Sequence, residues 1–198
     1  MTVIDILRHG ELVGGDKYRG TTDDPLTREG RAGMEAVWQC LKGEVDVVVA
    51  SPLQRCRLPA ETWAADASVP LHLEPRFREM EYGIWEGLGR EEIEIRFPGQ
   101  LERWRSDPVG MHIPGAEHLE DFARRVREGW YELLERFRGR HVLVVAHSGS
   151  IRVILATVLD APIRSTRHFR MCYSCWSRVR EDTGSLTLEF FNRQLFPQ

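Results

Sequence analysis

Two histidines and two arginines in this chain are spaced so that an α/β fold would bring them together. Arg8-His9-Gly10-Glu11 ends one apolar run, Arg55 lies just beyond a second that ends at Ala50, and His147 follows a third. These residue types suit transfer of a phosphoryl group. Each guanidinium presents five N–H donors in a fixed fork, so two of them can neutralise phosphoryl oxygens and the charge that develops during transfer. A neutral imidazole between them can attack phosphorus and form a phosphohistidine. A second imidazole can donate to an equatorial oxygen. One carboxyl group can protonate the leaving alkoxide and then activate water. Gly10 is expected to let the backbone approach the anion closely. Arg55 falls near a helix N-terminus, a poor place for a cation unless an anion sits beside it.

The elements that must position these groups are legible as strand–helix alternation. Residues 3–7, 45–50 and 141–146 read as short apolar strands, the first interrupted by Asp5. Thr27 is an expected N-cap for a helix reaching Lys42, with Gly43 as its stop. Ser51 reads as an N-cap with Pro52 at the first helical position, and Pro59 should kink or break that helix. Residues 71–73 are a further strand. Residues 91–97, 119–137 and 150–159 are expected helices, and 99–114 a loop. Strands over 175–180 and 185–191 flank Glu181-Asp182-Thr183-Gly184 as a hairpin. Such alternation implies an α/β fold with a largely parallel sheet, read as one domain over residues 1–198. In open α/β sheets ligands bind beyond the carboxyl ends of the strands, which is where Arg8, His9, Ser51, Arg55 and His147 fall.

Composition narrows the classes. The 198 residues are 42% hydrophobic and 29% charged, which excludes disorder. A net charge of −3 disfavours general nucleic-acid binding. Arginine supplies all the basic residues but Lys17 and Lys42, and Arg124, Arg125 and Arg127 read as a solvated helix face. No run approaches the roughly 20 apolar residues that span a bilayer. Met1-Thr2-Val3-Ile4 enters a strand pattern without a basic leader, so a cytoplasmic location is expected. Of Cys40, Cys56, Cys172 and Cys175, only the last two lie close together, so a structural zinc site lacks half its ligands and reduced thiols are expected.

The motifs resemble those of the histidine phosphatase superfamily, the phosphoglycerate-mutase-like fold. Arg8-His9-Gly10-Glu11 is similar to its signature, and Asp24-Pro25-Leu26-Thr27-Arg28-Glu29-Gly30 to the segment before its first helix. Ser51-Pro52-Leu53-Gln54-Arg55 resembles its second motif. The run from Arg78 to Gly87 resembles its acid-bearing motif, Pro114-Gly115-Ala116-Glu117 its substrate-side loop, and Ala146-His147-Ser148-Gly149 its second histidine motif. The resemblance implies a three-layer α/β/α sandwich with a mostly parallel central sheet. It implies that His9 is the nucleophile, that Arg8, Arg55 and His147 hold the phosphoryl group, and that no metal or cofactor takes part. It also favours Glu79 over Glu81 as acid and base, which periodicity alone does not decide because both face one side of an extended segment. Glu11 is expected to be a supporting hydrogen-bonding group.

Within the superfamily the chain is most similar to α-ribazole phosphatases of cobalamin synthesis, through the short loop 14–20, His168-Phe169-Arg170 and Cys175-Trp176-Ser177. Leu12 and Val13-Gly14-Gly15 stand where many relatives carry Thr and Asn, so Arg19 or an amide near Gly20 is expected to replace the missing phosphate contact. Ser148 stands where glycine is common and offers a hydroxyl. At the substrate end Tyr18, Tyr82, Trp85 and the segment 112–117 are expected to supply surface, with Arg19 the nearest cation. That balance favours an uncharged base, hence α-ribazole 5′-phosphate, over a phosphoglycerate. A broad-specificity phosphatase, a phosphoglycerate mutase and a non-catalytic phospho-ligand-binding protein are the rivals. The expected partner is a small phosphomonoester, not nucleic acid or membrane; monomer and homodimer both stay open.

Overall fold

The computed structural model describes residues 1–195. Its framework is a six-stranded sheet in the order β3-β2-β4-β1-β5-β6. The strands are β1 (Thr2–Arg8), β2 (Val47–Ala50), β3 (Leu71–Leu73), β4 (His141–Ala146), β5 (Trp176–Asp182) and β6 (Ser185–Arg193). Strands β3, β2, β4 and β1 run parallel, and β5 and β6 extend the sheet antiparallel.

Period-two alternation along the strands divides the core into two layers. Ile4, Ile6, Val49 and Val144 face one side, against Val126 and Trp130 of α5 (Leu119–Arg136) and Ile154 of α6 (Ser148–Val158). Leu7, Val48, Leu143 and Val145 face the other, against Trp38 of α1 (Arg28–Leu41) and Trp63 of α2 (Gln54–Ala67). The outcome is the three-layer α/β/α sandwich. Burying each such large apolar side chain contributes about 1.5–3 kcal/mol, which fixes the strand ends that carry the polar groups. Asp5, the residue that interrupts the first apolar run, is fully buried and paired with two side chains from the neighbouring strands. It accepts two hydrogen bonds from Arg178, at 3.0 and 2.9 Å, and one from His141 at 2.6 Å.

Several local expectations are corrected. Thr27 does cap α1, accepting from the Gly30 amide at 2.9 Å. Ser51 does not cap α2: that helix starts at Gln54 with Leu53 at the cap, and the Ser51 hydroxyl is shared between His147 and the Leu53 amide, 3.4 Å away. Pro59 neither ends nor splits α2. It forfeits one backbone hydrogen bond to the preceding turn, and the burial of Ala60, Trp63 and Ala64 in the core offsets the loss. Strand β2 begins at Val47 rather than 45, and α6 begins at Ser148 rather than 150.

Residues 99–114 are not wholly loop. They contain α4 (Gln100–Ser106), which follows α3 (Arg90–Arg96). Amphipathic residues of this stretch build a small separate core of Trp85, Ile93, Leu101 and Ile113, flanked by Tyr18, Tyr82 and Trp104. That core stands the segment over the carboxyl ends of the parallel strands.

Candidate active site

Beyond those strand ends lies a cavity of about 860 Å³, walled by Arg8, His9, Glu79, Tyr82, Ser148 and Arg152 among others. Strands β1 and β4 lie side by side, Arg8 opposite Ala146. The residues that follow each strand therefore meet: the rings of His9 and His147 are 5.2 Å apart.

His9 is buried, and its Nδ1 lies 2.8 Å from the Gly10 carbonyl. A carbonyl accepts only, so Nδ1 carries the proton and Nε2 keeps its lone pair. Burial, then the positive charges of Arg8 and Arg55, hold the His9 pKa well below the ordinary histidine value. The ring is thus neutral and nucleophilic at physiological pH. Arg8 donates to the Met171 carbonyl at 2.6 Å and stacks 4.0 Å over the Tyr173 ring. Its Nε is buried and without a partner among the described residues. An orphaned charged donor on a cavity wall is costly unless an anion completes it.

His147 is fully buried. Arg55 Nε donates to its Nδ1 at 3.2 Å, which puts the ring proton on Nε2, where it reaches the Ser51 hydroxyl at 2.7 Å. Burial first, then Arg55, lowers the His147 pKa well below its ordinary value. The remaining Arg55 donors go to the carbonyls of Arg19, Gly20 and Thr22 and to Asp23. Neither Arg55 nor His147 forms part of the cavity wall. They stand behind His9, and Arg55 acts on it through its field.

Glu79 is the carboxylate on the wall; Glu81 is not. One oxygen accepts from the Met80 amide at 3.0 Å and the other from the Gly149 amide at 2.9 Å, in the first turn of α6. A helix N-terminus attracts negative charge, so α6 orients this carboxylate. Arg125, expected on a solvated face, instead clamps the segment. It donates to the backbone carbonyls of Arg76, Arg78 and Glu79 and, at 2.7 and 2.8 Å, to both oxygens of Glu117. Its contacts are 8 and 46–49 residues away along the chain, so no local pattern announces them.

Other expectations are corrected. Gly10 serves packing: a Cβ there would lie 2.0 Å from the Gly30 carbonyl oxygen. Its neighbour Glu11 is exposed and outside the cavity wall, and its carboxylate and carbonyl accept from the hydroxyl and amide of Thr27, the cap of α1, in keeping with the supporting role expected of it. Arg19 reaches the wall, but its guanidinium is spent on Asp24 and the carbonyls of Val13 and Gly15. The Gly20 amide donates to Glu86 at 2.9 Å. Both donors offered in place of the asparagine are thus engaged with protein partners in this structure. Glu86, which the sequence did not single out, also receives the amides of Thr21, Thr22 and Tyr82. Burial pushes its carboxyl up, but these hydrogen bonds outweigh burial and hold it below the usual range. Tyr18, Tyr82 and Ser148 line the cavity as expected, with Trp104. Trp85 is fully buried, and residues 112–117 are outside the wall. Among the described residues no cluster of three His, Cys, Asp or Glu side chains is placed to hold a metal, and no helix is long and apolar enough to cross a membrane.

The family model described as histidine phosphatase superfamily (branch 1) matches residues 4–194. A bifunctional protein of Mycobacterium tuberculosis is 34% identical over 160 residues, 79% of this chain but 44% of that one, so the chain spans under half of this relative. The adenosylcobalamin/alpha-ribazole phosphatase of Salmonella typhimurium is 30% identical over 192 residues, covering 94% of each chain. The solved alpha-ribazole phosphatase from Shigella flexneri superposes with a TM-score of 0.85 at 26% identity, covering 96% of each chain.

Proposed function

The chain belongs to the histidine phosphatase superfamily, branch 1, and from that premise we propose that it hydrolyses phosphomonoesters through a phosphohistidine on His9. The observation that carries this reading is a neutral His9 with a free Nε2 on the same wall as Arg8, whose buried Nε lacks a partner. Nε2 attacks phosphorus, the P–O bond to the alkoxide breaks, and the Glu79 carboxyl delivers a proton to the leaving oxygen. Water then attacks the phosphoryl group while Glu79 takes its proton. The P–N bond breaks and neutral His9 returns. Arg8 neutralises phosphoryl oxygens directly, and Arg55 and His147 add positive potential and polarity from behind. The Ser148 hydroxyl is a further donor on the wall.

The arginines supply the charge that a metal supplies elsewhere, so rapid quenching in excess chelator should still trap label from a radiolabelled aryl phosphate. The label should be acid-labile and base-stable and lie on the peptide that contains His9. Label on serine or aspartate, or turnover that needs an added divalent ion, would overturn the reading.

For the substrate, the relative from Salmonella typhimurium supports α-ribazole 5′-phosphate. Tyr18, Tyr82 and Trp104 meet edge to face, with centroids 5.1–6.4 Å apart, and present aromatic surface on which a flat base can rest.

A further inference from the structure

The cavity is far more cationic than the chain around it. The chain carries a net charge of −3, yet among the described residues the wall holds eight Lys or Arg side chains against two carboxylates, Asp16 and Glu79. Arg8 and Arg152 belong to the inner part, buried or half-buried beside His9 and Glu79. Lys17, Arg90, Arg105, Arg167 and Arg170 are exposed, which puts them at the mouth. They come from four separate stretches of chain. Arg167 ties two of these together: its guanidinium donates to the carbonyls of Arg105 and Ser106 at the end of α4. Arg90 has a carboxylate only at 3.9 Å, from Asp16. Among the described residues, Lys17, Arg105 and Arg170 touch no carboxylate at all.

Like charges gathered without counter-charges repel one another, and an anion at the mouth relieves that repulsion. A single phosphoryl group at His9 is served by Arg8 and its neighbours and leaves the mouth unmatched. We propose that the mouth is a second anion subsite, so that a phosphomonoester bearing a further phosphate or carboxylate beyond the inner site is turned over more efficiently than its singly anionic counterpart. This rests on the phosphatase reading and extends its substrate class. A nucleoside monophosphate fills the inner half alone, and a substrate with an outlying anion fills both halves. The expectation that Arg19 is the nearest cation is thereby corrected: the cations come from loops and helix ends distant in sequence.

The test compares kcat/KM within matched pairs. Fructose 1,6-bisphosphate is set against fructose 6-phosphate, and 3-phosphoglycerate against glycerol 3-phosphate, with p-nitrophenyl phosphate as a reporter of turnover. A gain of about tenfold or more is expected for the doubly anionic member of at least one pair at low salt, since exposed arginine–anion contacts are worth most there. The arm that shows the gain identifies the second anion. Added salt should shrink the ratio, and the double variant Arg105→Gln/Arg170→Gln should bring it close to one while its melting curve stays unchanged. Ratios within about twofold in both pairs, or a gain that persists in the double variant, would overturn the subsite while hydrolysis of the simple esters keeps the phosphatase reading standing. No turnover of any ester, the aryl phosphate included, would remove both.

Discussion

His9→Ala is expected to lower kcat by roughly 10⁴-fold or more on every phosphomonoester: among the described residues the other imidazole on the cavity wall, His168, is exposed and its Nε2 is taken by Arg167. The fold should survive. The imidazole makes a single hydrogen bond, to its own neighbour's carbonyl, while the strand pairing of β1 uses backbone groups and the packing of Ile4, Ile6 and Leu7. Inorganic phosphate should still bind, since Arg8 and Arg55 are untouched, and calorimetric titration of the variant checks that. A variant that retained a tenth of wild-type turnover would mean that another group attacks phosphorus.

The wild-type pH profile carries the same logic. Burial and the adjacent arginines hold the His9 pKa well below the ordinary 6.5. The free enzyme therefore keeps its nucleophile as pH falls, and the acid limb of kcat/KM that belongs to His9 should lie below 6.5. Folding stability has a matching sign. Below 6.5 the unfolded chain protonates these histidines before the native state does. The unfolded state then binds more protons, and stability falls as pH falls through that window. A melting temperature that rises on acidification from pH 6.5 would contradict the buried, neutral assignment of His9 and His147.

What the sequence shows of this site follows from how each group is delivered. Arg8, His9 and His147 sit at the ends of strands whose apolar runs are unmistakable, and parallel neighbours carry their carboxyl ends to one rim. Their meeting is therefore written in strand order. Arg55 needs only one more step, the first turn of α2. The supports of Glu79 are different. Arg125 lies at helical spacing among other arginines, and only the tertiary fold sets it against Glu117 and the carbonyls of residues 76–79. Ser51 has the residue type and position of an N-cap, and its hydroxyl takes a second partner from far along the chain, the His147 ring. The cations at the mouth have no period or motif: the small core around Trp85 positions the segments of Lys17, Arg90 and Arg105, while the segment of Arg167 and Arg170 packs on the main core through Phe169. Local pattern reveals what local structure positions, and long-range contacts position the rest.

Glu79 gives the second large effect, and Gly149 offers a way to separate its position from its chemistry. Glu79→Gln keeps the shape and removes the transferable proton. On an alkyl phosphate, whose leaving alkoxide needs that proton, kcat/KM should fall by about 10²–10⁴-fold, and on an activated aryl phosphate by far less. Gly149 adds the positional test. A Cβ on Gly149 would lie 2.1 Å from Glu79 Oε1, 3.0 Å from its Cδ and 3.2 Å from Phe122 Cζ, so Gly149→Ala must push the carboxylate off the α6 amide. Alanine favours helix by about 1 kcal/mol over glycine, so the melting temperature should fall little or not at all while alkyl phosphate turnover drops. Trapped phosphohistidine from the aryl ester should accumulate in both variants, because loss of the base slows attack by water more than attack by His9. Equal slowing of both esters in Glu79→Gln would leave Glu79 a structural role. Unchanged alkyl phosphate turnover in Gly149→Ala would mean that the α6 amide does not hold the carboxylate where the reaction needs it.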